Sequence, residues 1–310
     1  MVNYMKTHAS DHLIDFNTSH IELSSNTTPI SEESANIDNK FEDLCIEKEK
    51  LHNFYNLAKY YDLAFFRDAD RDIEFFNGCF KRYCKNNVKR ILEPACGPGL
   101  FLEYLPKYGY IILGYDLNPA MINFSKERLK RLNISDHNAD AIIGNMMTAR
   151  FDQKFDAAFI CINSIGYLRK DAEIISHFEN MYDSLNDGGL YIIEISFKCD
   201  NLQNEKKIDD TWYIKRDGVE LEVTWAINWY DVEKRIRHVD FKMRVNDNGK
   251  IINVEESHDL RLWIYDEFKL FAKSSGFEIV GIYNQNYEEI PMLSAITGEL
   301  GALFVVLKKL

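Results

Sequence analysis

Long apolar runs are missing from this sequence. No stretch of the 310 residues approaches the roughly 18 to 20 consecutive apolar positions that a membrane-spanning helix requires. The first residues also lack a basic start, an apolar core and a small-residue cleavage site. The chain is therefore expected to be cytoplasmic, with the sequons at Asn17 and Asn26 unglycosylated. Paired cysteines are absent as well. Cys45, Cys79, Cys84, Cys96, Cys161 and Cys199 are scattered, and Cys79 and Cys84 lack zinc-ligand spacing, so reduced thiols are expected. Positive charge is scarce: 37 Lys and Arg stand against 49 Asp and Glu, a formal net charge of −12. Nucleic-acid surfaces need clustered cations, so neither nucleic acid nor membrane is expected as a partner, and a small-molecule substrate is.

What is present is enough apolar material, 46% of the chain, for a sizeable core. Residues 1–40 contribute little to it. They are rich in Ser, Thr, Asn, Asp and Glu, and read as a polar flexible tail. Three of the eight histidines, His8, His12 and His20, fall there, with nothing nearby to fix their geometry for a metal. From 41 to 86 apolar residues recur at three- and four-residue spacing (Leu51, Phe54, Tyr55, Ala58, Tyr61, Phe65), which predicts a helical cap. Strands then alternate with helices: strands at 88–94, 110–115, near 141, 155–162 and 189–195, and helices at 100–108, 120–132 and 171–185. That alternation implies a doubly wound α/β domain with a parallel sheet covered on both faces.

The rhythm changes after the fifth strand. Residues 197–262 carry long alternating stretches, broken at Asp231-Val232-Glu233-Lys234 and at Asn246-Asp247-Asn248-Gly249, the latter a strong hairpin signal. They predict an antiparallel β insertion. A helix at 265–274 ending at Gly276 and two further strands then complete the core, which spans 87–196 and 263–310.

The first strand runs into Glu93-Pro94-Ala95-Cys96-Gly97-Pro98-Gly99. Glycines there let backbone pass close to a ligand at a helix start. The third small position of a dinucleotide fingerprint holds Leu102, so a pyrophosphate cradle is not specified. Asp116 ends the second strand, where a carboxylate can accept both hydroxyls of a ribose; alternatively it caps the helix starting near Pro119.

These segments, with Asp116-Leu117-Asn118-Pro119-Ala120-Met121 and the later Asp187-Gly188-Gly189-Leu190, resemble class I S-adenosylmethionine-dependent methyltransferases over about residues 55–310. The resemblance implies a Rossmann-like sheet with S-adenosylmethionine as cofactor. It places Glu93 and the Ala95, Gly97 and Gly99 backbone at the methionine part, Asp116 at the ribose, and Leu117 and Met121 around the adenine. Asn145 and Met146 would meet the adenine edge; most relatives carry Asp where this chain has Asn145. Tyr61-Asp62-Leu63 with Arg71-Asp72, Asn163-Ser164-Ile165-Gly166-Tyr167-Leu168 and Glu256-Ser257-His258-Asp259-Leu260 are similar to N-methyltransferases acting on amino sugars. In those the inserted sheet covers the site and often forms a dimer contact, which implies a lid and a homodimer surface here.

The expected reaction is in-line methyl transfer to a small molecule, with an amine as nucleophile. O-methylation of a hydroxyl or carboxyl group, or a non-catalytic cofactor-binding scaffold, are the competing readings. Asn163 follows the fourth strand, where the acceptor would meet the methyl group, and Cys161 precedes it as a small apolar neighbour of the cofactor. His258 is the titratable candidate for taking the proton of an amine; the other reading is an edge-strand histidine facing solvent or a neighbouring strand. Glu194, ending the fifth strand, is a candidate for binding a cationic substrate. Tyr61 and Tyr55 would close the cofactor pocket or pack in the core, and Arg71 would pair the methionine carboxylate or a surface acid. Clustered Asp and Asn metal ligands are not found.

Overall fold

The computed structural model describes residues 53–197, 208–291 and 302–310. The tail expected at 1–40, Cys45, Cys199 and most of the segment between 284 and 301 lie outside these residues. A 3-10 turn at Asn53–Asn56 leads to α1 (Ala58–Ala64) and α2 (Ala69–Tyr83). Asp68 caps α2 by accepting the Arg71 amide at 3.2 Å. Asp70 and Asp72 in the first turn and Lys81 and Arg82 in the last complement the helix dipole. Ile73, Phe76 and Phe80 form its buried stripe.

The alternation follows: β1 (Arg90–Pro94), α3 (Leu100–Tyr104, continued as a 3-10 turn to Tyr108), β2 (Ile111–Asp116), α4 (Pro119–Arg131), β3 (Ala139–Ile143), β4 (Phe155–Ile160), α5 (Asp171–Ser184) and β5 (Leu185–Ser196). The inserted strands are β6 (Ile208–Arg216), β7 (Val219–Asp231), β8 (Ile236–Asp247) and β9 (Lys250–Arg261). Then come α6 (Tyr265–Ser274), β10 (Phe277–Tyr283) and β11 (Ala302–Lys309). The large sheet has the order β10-β11-β5-β4-β1-β2-β3. β1 to β5 run parallel, and β11 runs antiparallel between β5 and β10. The near-continuous apolar runs of β4 and β11 suit strands buried on both faces. Two boundaries differ from the sequence expectation. β4 stops at Ile160, because Ile162 and Asn163 turn into the left-handed region, and β5 begins at Leu185, directly off α5.

β6 to β9 form a separate antiparallel sheet in sequential order. Two of its hairpins turn on Asp217-Gly218 and Asn248-Gly249, with φ of 51°/76° and 51°/93°. Two successive positive φ values match the right-handed strand twist, which is why Asp-Gly and Asn-Gly stand there. One face of this sheet (Trp212, Leu221, Val223, Phe241, Met243, Val245) packs on Phe54, Ala64 and Phe65. The Phe54 and Phe241 rings lie 3.9 Å apart by centroid, and Trp212 donates from Nε1 to the Ala64 carbonyl at 2.9 Å. The inserted sheet is thereby held against the N-terminal cap beside the strand ends. Replacing Phe241 by Ala is expected to cost about 3–5 kcal/mol in urea unfolding, while Lys242→Ala, one residue on and exposed, should stay within about 0.5 kcal/mol.

Candidate active site

The strand order reverses between β1 and β4, the place where a doubly wound sheet opens a crevice over its carboxyl ends. Ala95, Gly97 and Gly99 all have positive φ in the turn leaving β1. A Cβ on Gly99 would sit 2.7 Å from Ser125 Oγ, so glycine is required for α4 to pack this closely. At Gly97 the nearest atom to such a Cβ is Tyr61 Cε1 at 3.8 Å, which leaves its backbone approachable under the Tyr61 ring. The turn's carbonyls are tied from behind: Ser125 Oγ donates to Gly97 at 2.9 Å and Arg128 Nη1 to Pro98 at 2.9 Å. Arg128 is itself held by Asp62 and Glu103.

Asp116 accepts the Gly97 amide at 3.0 Å on one oxygen and the Asn118 amide at 2.8 Å on the other. The cap of α4 is Asn118, which accepts from Ala120 at 2.8 Å, so Asp116 does not serve as that cap. Burial raises the Asp116 carboxyl above its usual range, against the pull of these backbone amides. Glu93 is buried, and its Oε2 has no hydrogen-bond partner. Desolvation, reinforced by Asp116 and opposed by Arg67, pushes its carboxyl well up. Leu117 is 48% exposed, whereas Met121 is 1% exposed, so only Leu117 presents its side chain at the surface. Asn145 spends its carbonyl oxygen on the Met147 amide at 2.9 Å, an acceptor expected to be directed at an adenine. The Met146 carbonyl takes hydrogen bonds from His177 Nδ1 at 3.1 Å and Asn180 Nδ2 at 3.2 Å.

Across the crevice, Cys161 lies just past β4 rather than inside it. Ile162 and Asn163 have φ of 57° and 54°, two successive non-glycine residues in the left-handed region. The Ile162 amide donates to Glu194 Oε2 at 2.9 Å, and Asn163 Oδ1 accepts from Ser196 at 3.1 Å. Asn163 Nδ2 is buried without a partner. The Glu194 carboxylate is buried, shares the Arg67 guanidinium (Nη1 at 2.6 Å) with Asp72 and anchors the turn through the Ile162 amide. Arg71 lies with its guanidinium 5.1 Å from the Tyr287 ring; the arginine that reaches the strand ends is Arg67.

His258 is 1% exposed on β9, so it does not face solvent; its ring packs on Trp225 and Phe241 of the neighbouring strands. Its Nδ1 is 3.2 Å from the Tyr167 hydroxyl, which is hydrogen-bonded to the Tyr55 hydroxyl. The imidazole stacks on Trp225 at 5.9 Å, and Tyr55 packs 5.5 Å from Tyr61. A row of polar ring groups thus joins the Gly97 turn to His258. Of the other tryptophans, Trp212 and Trp263 are core residues and Trp229 stacks on His238 at the surface. Sequence reading assigned no role to Ser125, Arg128, Arg67 or His177. The only cue was His177 and Asn180 at helical i, i+3 spacing.

Residues 91–189 match a protein family described as a methyltransferase domain. With this sheet order, the fold is that of the class I methyltransferases, and the chain is an S-adenosylmethionine-dependent methyltransferase. It is similar to a protein of Geobacillus sp. (strain WCH70) named as a methyltransferase, 24% identical over 214 residues, 68% of this chain and 83% of that one. Its structure is similar to an S-adenosylmethionine-dependent methyltransferase from Clostridium acetobutylicum ATCC 824 (TM-score 0.64, 16% identity, 83% of this chain and 99% of the other). It is also similar to the sugar N-methyltransferase KedS8 from Streptoalloteichus sp ATCC 53650 (TM-score 0.58, 15% identity, 94% and 99% covered). Among the described residues no helix is long and apolar enough to cross a membrane. The site fits the cofactor: the orphan Glu93 Oε2 is an acceptor suited to an ammonium group, Gly97 allows close backbone approach, and each Asp116 oxygen retains lone pairs for hydroxyl donors.

His177 gives a direct test of the 145–147 turn. A carbonyl only accepts, so Nδ1 carries the proton toward Met146, and the Tyr191 hydroxyl donates to Nε2 at 2.7 Å. Burial lowers its pKa from 6.5 to about 4. A depressed folded-state value contributes stability above pH 6.5 that is lost as pH falls toward 4, about 3 kcal/mol at most. His177→Gln is expected to flatten that part of the pH dependence of the urea midpoint relative to the unsubstituted chain.

Proposed function

We propose that this methyltransferase acts on the amine nitrogen of a small molecule of the amino-sugar class. The observation that carries the reading is the placement of His258: a buried imidazole on the inner face of the inserted sheet, joined through Tyr167 and Tyr55 to the edge of the Gly97 turn. When bound, S-adenosylmethionine would supply an electrophilic methyl carbon on a sulfonium, with S-adenosylhomocysteine as the leaving group. The Gly97 and Gly99 backbone and Glu93 would hold its methionine part, Asp116 its ribose, and Leu117 and the Asn145–Met146 turn its adenine.

What this chain adds is position and proton handling. An ammonium has no lone pair, so the acceptor must lose a proton before attack. Burial raises the Tyr55 and Tyr167 hydroxyls above their usual range, so both stay protonated at neutral pH and each donates and accepts. The titratable end of the row is His258, with Glu256 Oε2 3.9 Å from its Nε2. Asn163, held in its strained turn, offers its unpartnered Nδ2 to an acceptor oxygen. The similarity to a sugar N-methyltransferase supports a hydroxylated amine as substrate.

Asp116→Ala is expected to weaken S-adenosylhomocysteine binding more than about tenfold in isothermal titration, since two charge-assisted hydrogen bonds are lost; an unchanged affinity refutes the ribose assignment. His258→Gln should lower kcat by roughly 100-fold at pH 7 with the KM for S-adenosylmethionine unchanged. Full kcat across pH 6 to 9 would show that His258 takes no proton.

A further inference from the structure

Tyr287, Asp72, Arg67 and Glu194 all lie outside the matched stretch 91–189, yet they form one chain of hydrogen bonds that ends on the turn carrying Asn163. Its far end, Tyr287, stands on a short hairpin that follows β10. Asn284 builds that hairpin. Its carbonyl accepts the Tyr287 amide at 3.0 Å, and its Oδ1 accepts the amides of Asn286 at 2.9 Å and Glu288 at 3.0 Å. Arg82 holds Glu289 with both Nη atoms, at 2.8 and 3.0 Å. Tyr287 itself has φ of 65°, where a bulky side chain is an outlier. Such backbone persists only where its surroundings over-determine it.

Packing explains the ring but not its hydroxyl. The ring stacks on Phe75 (4.6 Å, 14° between planes), lies 5.4 Å from Phe304 and has the Arg71 guanidinium 5.1 Å from its centroid. A phenylalanine would keep all three contacts. The hydroxyl donates to Asp72 Oδ1. Asp72 is fully buried, and Arg67 meets it through Nε at 2.6 Å and Nη2 at 2.7 Å, while Nη1 meets Glu194 at 2.6 Å. A guanidinium is a rigid plane, so rotating the Asp72 carboxylate turns the fork and moves Nη1 off Glu194. Two carboxylates share this one cation, and each takes a further donor: the Tyr287 hydroxyl on Asp72 and the Ile162 amide on Glu194. Burial raises the Asp72 carboxyl, and Arg67 and Tyr287 draw it back down. At the near end Ile162 and Asn163 stand at φ of 57° and 54°, held by Glu194 and by the Ser196 amide on Asn163 Oδ1.

We propose that Tyr287 is a positioning residue for methyl transfer: acting through Asp72, Arg67 and Glu194, its hydroxyl fixes the Ile162–Asn163 turn and with it the Asn163 side chain that meets the acceptor. This rests on the reading of that turn as the acceptor side. The orientation of Asn163 is thereby set from a surface hairpin distant in sequence, and opening of that hairpin would release it.

The test is amide hydrogen exchange of the full chain carrying isotope-labelled isoleucine, the Ile162 signal being identified by its loss in Ile162→Val. Tyr287→Phe keeps the ring and every charge. It is expected to speed exchange at Ile162 about tenfold or more, with Ile112 of β2 unchanged within about twofold. Glu194→Gln should act alike, and the double variant should exchange at most about twofold faster than the faster single one, because both break one chain of bonds. Independent structural damage gives effects that multiply. Multiplied rates, or unchanged exchange in Tyr287→Phe, overturn the proposal. Should Glu194→Gln fail to fold, Asp72→Asn breaks the same chain at another bond and takes its place. In isothermal titration Tyr287→Phe should bind S-adenosylhomocysteine within about threefold of the unsubstituted chain, and a loss above about tenfold would place Tyr287 on the cofactor side and overturn the proposal. The exchange measurement needs neither cofactor nor acceptor, so it judges the coupling by itself; the acceptor reading fails separately, if Asn163→Ala leaves kcat unchanged.

Discussion

The arrangement of the site depends on the guanidinium of Arg67. It leaves the bend between α1 and α2, is buried, and meets Asp72 at 2.6 and 2.7 Å and Glu194 at 2.6 Å. Two carboxylates outweigh burial and hold it firmly protonated. Glu194 passes the constraint to the Ile162 amide, and Asp72 passes it to the Tyr287 hydroxyl. One cation therefore ties the N-terminal cap, β5, the turn after β4 and the segment after β10. Removing one member of such a buried set leaves an uncompensated charge, a cost of about 3–5 kcal/mol. That is comparable with the whole stability of many domains.

The strain tied down in this way is concentrated where it can be used. Ala95, Ile162 and Asn163, non-glycine residues with positive φ, leave the carboxyl ends of β1 and β4, adjacent strands at the reversal of the sheet. Sparsely populated backbone persists only where its surroundings over-determine it. Here the surroundings are Asp116 on Gly97 and Glu194 on Ile162, each a carboxylate accepting a main-chain amide. The inserted sheet completes the enclosure from above, its inner face seated on Phe54 and Phe65 and its His258 reaching the turn at Tyr167.

Much of this was legible in the residues. Apolar runs punctuated by glycine and asparagine gave the alternating core, and alternation with Asn248-Gly249 gave the inserted strands. Asp116 was singled out by its place at a strand end, a local relation that spacing preserves. The pairing of Arg67 with Glu194 was missed, because it spans 127 positions and no pattern of either neighbourhood reports it. Asn145 was recognised by place, yet its carbonyl oxygen closes its own turn. His177 looked like an ordinary helix residue until the Met146 carbonyl and Tyr191 were brought to its two nitrogens.

The sequence by itself determined the elements, their order and the two hairpin turns, since strand and helix periods follow from backbone geometry within a few residues. It also determined which types of side chain stand at the strand ends. Tertiary structure alone decided which charges are paired and which hydroxyls meet His258. Desolvation and charge compensation depend on segments that meet only when the inserted sheet closes over the cap, and no local spacing encodes that meeting.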